Sequence, residues 1–151
     1  MTTRFEINGK KASLLGYGAM RLPTVDGGHA NPWAPNMSDK AIDQKLVNRQ
    51  VRRMLDLGIN YFDTANAYTD SEKKIGLALS DVRENIIIAT KSMARDYDGV
   101  LKSIENSLKT MKTDYIDLFQ LHNVPQMVDP EDTDSAYAGA LEAKKREGIS
   151  L

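Results

Sequence analysis

Four side chains that can exchange or steer a proton stand near the ends of short apolar segments. Asp63, Lys91 and His122 each directly follow such a segment, and Tyr68 lies between Asp63 and the next helix-like segment. In parallel α/β architectures the carboxyl ends of the strands form one face, so we expect the four side chains to converge there. Residues of these types could protonate a carbonyl oxygen while a hydride arrives at its carbon.

The four side chains also suit one another chemically. A lysine beside a tyrosine stabilises the phenolate, so Lys91 is predicted to lower the pKa of Tyr68 from its usual value of about 10. Tyr68 would then act as a general acid near neutral pH, Asp63 would neutralise and orient Lys91, and His122 would hydrogen-bond the carbonyl oxygen. Taken singly, each residue also has an ordinary structural interpretation. Their order at successive strand ends favours the catalytic one.

Strand-like and helix-like patterns alternate along the chain and would position these residues. Residues 4–13 are a predicted β-hairpin, because Asn8-Gly9 favours a two-residue type I′ turn. Strands are predicted at residues 12–20, 59–62, 86–90 and 115–121, and residues 149–151 resemble the opening of a fifth. Helices are predicted at about residues 39–57, 70–80, 98–111 and 135–147.

Two of the predicted helices carry capping residues at their start. Ser38 or Asp39 is the predicted N-cap of the first helix, which Gly58 would end. The segment Thr69-Asp70-Ser71-Glu72 matches a capping box and would start the second helix. Tyr68 is therefore expected in the loop immediately before that helix.

The alternation of strands and helices predicts right-handed crossovers and a parallel sheet covered by helices. Such a sheet can be an open doubly wound sheet or part of an eight-stranded barrel, and the periodicity of the sequence is compatible with both. Gly16-Tyr17-Gly18 invites comparison with the dinucleotide-binding fingerprint of doubly wound domains. Arg21, however, stands where that fingerprint requires Gly or Ala, which disfavours this interpretation.

The composition is that of a folded domain. The chain has 151 residues, of which 41% are hydrophobic and 27% charged, with a net charge of −1 and no cysteine. The length suits one domain, and the small net charge gives no global reason to bind nucleic acid or an anionic membrane. Without cysteine there can be no disulfide, thiol nucleophile or cysteine-ligated metal, and no metal site is predicted. The polar start of the chain does not match a signal peptide, so we expect a soluble cytoplasmic domain.

Several segments together resemble the aldo-keto reductase family. They are LGYGAMRL at residues 15–22, GINYFDTA at residues 58–65 with Tyr68 and Ser71-Glu72 after it, ATK at residues 89–91, and DYIDLFQLHN at residues 114–123. The resemblance extends over nearly the whole chain and is greatest to bacterial members. Some of these carry a cysteine-ligated iron–sulfur module at the C-terminus, no part of which is present in this sequence.

The resemblance implies roles, a fold and a cofactor. Tyr68 would be the proton donor, tuned by Lys91 and Asp63, with His122 orienting the carbonyl. Residues 1–151 would form the N-terminal half of a (β/α)8 barrel of the TIM-barrel type, namely its first four βα units preceded by the hairpin. NADPH, or alternatively NADH, would deliver hydride to an aldehyde or ketone. The residues expected near the nicotinamide ribose are Gly18, Ala19, Met20, Arg21 and Asp63.

Half of a barrel is an incomplete scaffold. A complete barrel needs eight βα units and about 250 residues, and in this family most groups that hold the rest of the cofactor belong to the second half. The first and fourth strands would be open edges, which favour association. We therefore expect self-association or a C-terminal half that completes the barrel. The alternative function is a catalytically inactive barrel fragment that acts as a binding or regulatory module.

Overall fold

The computed structural model describes residues 5–32, 41–125 and 129–146. The predicted N-caps Ser38 and Asp39 and the predicted fifth strand at residues 149–151 lie outside the described residues. Within these ranges, no helix is long and apolar enough to cross a membrane.

The N-terminal hairpin consists of strands β1 (Glu6–Ile7) and β2 (Lys10–Lys11), which pair antiparallel. The backbone φ angles of Asn8 and Gly9 are +51° and +73°. A type I′ turn requires positive φ at both central positions, and Asn and Gly tolerate such angles best. The predicted hairpin is confirmed.

The next strands form one parallel sheet. They are β3 (Gly16–Gly18), β4 (Tyr61–Asp63), β5 (Ile87–Ser92) and β6 (Leu118–Leu121). Their order in the sheet is β3-β4-β5-β6, and every neighbouring pair is parallel. A doubly wound sheet would reverse its strand order at some point, whereas successive strands of a barrel follow one another in chain order. The observed order is that of a barrel.

Helices alternate with these strands as predicted. They are α1 (Gln44–Asp56), α2 (Ser71–Leu79), α3 (Tyr97–Met111) and α4 (Ala136–Lys145), with a short 3₁₀ helix at Arg83–Asn85. Each helix packs against its successor in the chain, and an apolar core lies between the sheet and the helices. The approach of α2 to the end of α3 requires Gly76, because a Cβ atom there would overlap the backbone of Met111.

The predicted start of α1 is wrong. The helix begins at Gln44, and the N-cap is Asp43, whose side chain accepts a hydrogen bond from the backbone N–H of Leu46 at 3.0 Å. Ile42, which lies within the predicted helix at residues 39–57, instead forms an isolated antiparallel bridge with Thr24. A satisfied cap at Asp43 and this tertiary pairing keep residues 41–43 out of the helix.

The predicted capping box at the start of α2 is also wrong. Thr69 has a left-handed backbone with φ of +47°, and the N-cap is Asp70, which makes no capping hydrogen bond through its side chain. Glu72 would have to bond back to the cap, but its carboxylate accepts a hydrogen bond from Thr90 Oγ1 at 2.6 Å inside the protein. The tertiary hydrogen bond with Thr90 therefore replaces the predicted local bond to the backbone of the cap.

Candidate active site

The carboxyl ends of three neighbouring strands position the predicted residues. Asp63 is the last residue of β4, Lys91 lies near the end of β5, and His122 directly follows β6. Tyr68 lies in the loop before α2, where its backbone N–H donates to Ala65 O at 3.0 Å. Since parallel neighbours end at one edge of the sheet, all four side chains face a common region.

Lys91 and Asp63 form a close ion pair. The Lys91 ammonium donates to the two carboxylate oxygens of Asp63 at 2.6 and 2.7 Å, and to the carbonyl oxygen of Thr64 at 2.8 Å. Both side chains are partly exposed, and the register places them on adjacent parallel strands. Three acceptors therefore fix the position of the ammonium group in the site.

Tyr68 lies against both His122 and Lys91. Its hydroxyl is 3.5 Å from His122 Nε2, a long hydrogen bond, and the two rings meet edge to face with centroids 5.4 Å apart. The ammonium of Lys91 is 5.5 Å from the centre of the Tyr68 ring. The ammonium of Lys91, which is held by the carboxylate of Asp63, and the imidazole of His122 thus lie near the phenol of Tyr68.

The pKa of Tyr68 does not follow the prediction. Burial raises it, and the negative charge of Asp63 raises it further. The predicted net lowering of the pKa is therefore wrong, because burial first and the charge of Asp63 second decide the direction of the shift. At neutral pH the Tyr68 hydroxyl carries its proton.

His122 is shifted in the opposite direction. Burial lowers its pKa most, Lys91 and Arg95 lower it further, and Asp63 opposes them. The imidazole is therefore neutral at neutral pH, with one nitrogen that donates and one that accepts. Nδ1 is buried and has no hydrogen-bond partner among the residues that the structure describes.

A buried pair of hydroxyls connects the loops after β3 and β4 with the start of α2, and the sequence did not predict it. Ser71 Oγ donates to Ala19 O at 2.8 Å and lies 2.7 Å from Thr64 Oγ1. Because the single Ser71 proton goes to Ala19, the Thr64 hydroxyl must donate to Ser71. The local sequence predicts a capping box that includes Ser71, and nothing in it indicates this tertiary contact.

The segment after β3 is hydrogen-bonded to the carboxyl end of β4. Gly18 is the exposed last residue of β3, and a Cβ atom there would meet nothing within 4 Å. The buried Ala19 donates its N–H to Asp63 O at 2.8 Å, and the following Met20 and Arg21 form a turn in which Arg21 is exposed. The predicted cofactor segment therefore lies beside Asp63, with open space along Gly18.

The comparison with protein families decides the assignment. The model described as the Aldo/keto reductase family matches residues 14–150. The chain belongs to the aldo-keto reductase family.

Individual aldo-keto reductases are similar over most of this chain. Aldo-keto reductase YhdN of Bacillus subtilis is 34% identical over 124 residues, which cover 72% of this chain and 37% of that protein. Methylglyoxal reductase YeaE of Escherichia coli is 33% identical over 109 residues, which cover 70% of this chain and 37% of that protein. The chain thus spans less than half the length of the curated relatives it matches.

A solved aldo-keto reductase shares the fold. The holo form of aldo-keto reductase AKR11C1 from Bacillus halodurans superimposes with a TM-score of 0.73 at 28% identity, covering 97% of this chain and 47% of that one. The predicted fold class is confirmed as the (β/α)8 barrel type, of which the described residues form four βα units.

Proposed function

We propose that this aldo-keto reductase chain contributes the acid–base site of an NADPH-dependent reduction of an aldehyde or ketone to an alcohol. The observation that carries the proposal is the cluster of Tyr68, Lys91, Asp63 and His122 at adjacent strand ends. In it the Tyr68 hydroxyl is 3.5 Å from His122, and the Lys91 ammonium is 5.5 Å from the Tyr68 ring. Each of these side chains has a distinct task in the reaction.

Tyr68 donates the proton. Its raised pKa keeps the hydroxyl protonated at neutral pH, which is the state that a proton donor needs. As the carbonyl carbon gains a hydride, the Tyr68 O–H bond breaks and the proton forms the hydroxyl of the product alcohol. Lys91 stabilises the phenolate that remains, and Asp63 holds the ammonium in place through both carboxylate oxygens.

His122 orients the carbonyl group of the substrate. Its lowered pKa keeps the ring neutral, so Nε2 can carry the proton and donate to the carbonyl oxygen beside Tyr68. A neutral donor polarises the oxygen without competing with Tyr68 for the role of acid. The two groups together define where that oxygen must lie.

The residues present fit the nicotinamide end of the cofactor. Gly18 opens onto free space, and the partly exposed carboxylate of Asp63 has acceptor capacity left for a ribose hydroxyl. Gly18, Ala19, Met20, Arg21 and Asp63 would hold that end. When bound, a reduced nicotinamide supplies the hydride. The same residues accept NADPH or NADH, and the preference for NADPH rests on the likeness to the family.

The substrate class follows from the site and the relatives. Nothing in the four-residue cluster recognises more than a carbonyl group, and one relative is named as a methylglyoxal reductase. Small aldehydes and ketones are therefore the first substrates to test.

The experiment compares NADPH oxidation by the protein and its Tyr68→Phe variant across a panel of small aldehydes. We expect Tyr68→Phe to lower kcat by about 10²–10⁴-fold, the usual contribution of a positioned general acid. Tyr137→Phe is the matched control, because Tyr137 is an exposed tyrosine on α4. Turnover that survives Tyr68→Phe would contradict the assigned role. Absence of NADPH binding would favour the alternative, a binding or regulatory module.

A further inference from the structure

Arg95 connects two strand-end loops of the site. It lies between β5 and α3, and its exposed guanidinium reaches the turn that follows β6. Nη2 donates to the carbonyl oxygens of His122 and Asn123 at 2.5 and 3.1 Å, and Nη1 donates to Ala94 O at 3.1 Å. One arginine thus binds the backbone of the histidine and of the residue after it.

The turn that carries His122 needs such an anchor. Asn123 has a left-handed backbone with φ of +50°, which is uncommon for a residue other than glycine. The turn is tied to β5 by the His122 N–H, which donates to Ser92 O at 2.9 Å. Arg95 supplies a donor to the carbonyl oxygens of both His122 and Asn123, and a charged donor makes the stronger hydrogen bond.

The imidazole itself is held weakly. Nδ1 has no hydrogen-bond partner within the described ranges, and Nε2 makes only the 3.5 Å contact with Tyr68. The direction of the ring therefore depends on the backbone of its own turn and on the edge-to-face contact with the Tyr68 ring. Whatever fixes that backbone fixes the distance between His122 and Tyr68.

We propose that Arg95 is a positioning residue, which holds the His122 turn so that the imidazole meets the hydroxyl of Tyr68. The inference rests on the proposed function, because it deepens the role assigned to His122. Arg95 touches neither the reacting atoms nor the cofactor segment, and it acts through the backbone of His122.

Arg95 also adds to the electrostatic environment of the imidazole. Among the residues that the structure describes, the charged and titratable groups that face His122 are Lys91 on β5, Asp63 on β4, Tyr68 in the loop before α2, and Arg95 itself. Lys91 and Arg95 favour the neutral ring and Asp63 favours the charged one. Removal of Arg95 therefore both frees the turn and makes protonation of His122 easier.

Lysine cannot replace arginine in this position. The planar guanidinium presents several donors at fixed angles and here binds three carbonyl oxygens, whereas an ammonium is a compact charge on a flexible stem. Arg95→Lys keeps the positive charge and loses the planar set of donors, while Arg95→Gln loses both. The pair of variants separates the geometric effect from the electrostatic one.

The test is an NMR titration of the histidine rings. The protein has two histidines, so His29→Gln assigns the spectrum and the His29 signal serves as an internal reference. We expect Arg95→Gln to raise the pKa of His122 and to shift its ring and backbone signals. Arg95→Lys should shift the signals but leave the pKa near that of the parent. Lys102→Gln, which removes an exposed cation from α3, is the control and should change neither.

Kinetics provide the second readout. Both Arg95 variants should lower kcat about tenfold or more with little change in KM, because a small misplacement of a catalytic group is costly and the substrate is still bound. A His122 ring spectrum and titration that match the parent in Arg95→Gln, with the amide spectrum showing a folded protein, would overturn the inference. A parent protein without turnover would overturn only the proposed function, since the titration still measures the effect of Arg95 on His122.

Discussion

Glu72 is a buried carboxyl group outside the proposed reaction. Glu72 is 6% exposed, and its carboxylate accepts a hydrogen bond from Thr90 Oγ1 at 2.6 Å. Burial raises the pKa of Glu72, and the hydroxyls of Thr90 and Ser107 oppose that shift without cancelling it. The charged form is therefore the unfavourable one in the folded protein.

The stability of the protein should depend on this group in a defined direction. Since the pKa of Glu72 is higher in the folded than in the unfolded state, its contribution is complete below the unfolded pKa. It is lost as the pH rises through the folded pKa. We predict that Glu72→Gln stabilises the protein at neutral pH and has little effect under acidic conditions. Each tenfold difference in proton affinity corresponds to about 1.4 kcal/mol.

Urea unfolding measured between about pH 4 and pH 8 checks this prediction. The control is Glu105→Gln, which removes an exposed carboxylate from α3. A difference between Glu72→Gln and the parent that stays constant over this range would contradict the expected direction.

At the level of single residues, the sequence predicts the acid–base cluster but not what holds it. Asp63, Lys91 and His122 could be identified because each follows an apolar strand, and strand direction alone brings their side chains together. The contacts of Ser71 with Ala19 and of Arg95 with His122 join loops that are distant in the chain. They depend on loop backbone geometry, which local sequence patterns do not encode.

At the scale of elements, the hairpin β1–β2 is fastened to the sheet by a buried charge cluster. The side chain of Asp117 is 0% exposed and binds Lys10 Nζ at 2.7 Å and Arg83 Nη1 at 2.6 Å. It also accepts the backbone N–H of Ile88 at 3.0 Å. The ring of Tyr115 lies under both cations, 4.7 Å from Lys10 Nζ and 3.7 Å from Arg83 Cζ. The hairpin, the 3₁₀ helix and β5 thus meet at one carboxylate, which directly precedes β6.

Loss of that carboxylate should destabilise the whole domain. Asp117→Ala leaves two cations and a backbone N–H without their acceptor, and breaking a buried pair in this way costs about 3–5 kcal/mol. Thermal unfolding followed by circular dichroism would measure the effect. Asp81→Ala is the matched control, because Asp81 pairs with Arg52 on the exposed surface and solvent screens that pair. Equal effects of the two substitutions would contradict the role given to Asp117.

The order of the elements was predictable, and several of their boundaries were not, since β3 and β6 begin later than predicted. The alternating strand and helix patterns predict the parallel sheet, and the Asn8-Gly9 dipeptide predicts the hairpin. The choice between an open sheet and a barrel needed the strand order, which is a long-range property. The starts of α1 and α2 were displaced because Ile42 and Glu72 have tertiary partners that outweigh their local patterns.

For the molecule as a whole, the two outer strands of the sheet determine how it can associate. Within the described ranges, β3 and β6 each pair with a neighbour on one side only. Leu14 and Leu15, which lead into β3, are 64% and 69% exposed. An unpaired strand edge beside exposed apolar side chains is a template for pairing with another chain. We propose that further strands cover these edges, supplied by a second copy or by a C-terminal half of the barrel.

The oligomeric state of the 151-residue chain tests this proposal. We predict a mass by light scattering that exceeds the 16.8 kDa of one chain at micromolar concentrations, because association buries the edges and the leucines. Leu15→Lys should shift the protein toward the monomer, since a charged residue beside an edge strand opposes pairing. Lys109→Gln, which alters an exposed charge at the end of α3, is the control and should leave the mass unchanged. A folded monomer at every concentration would show that the edges are stable without a partner.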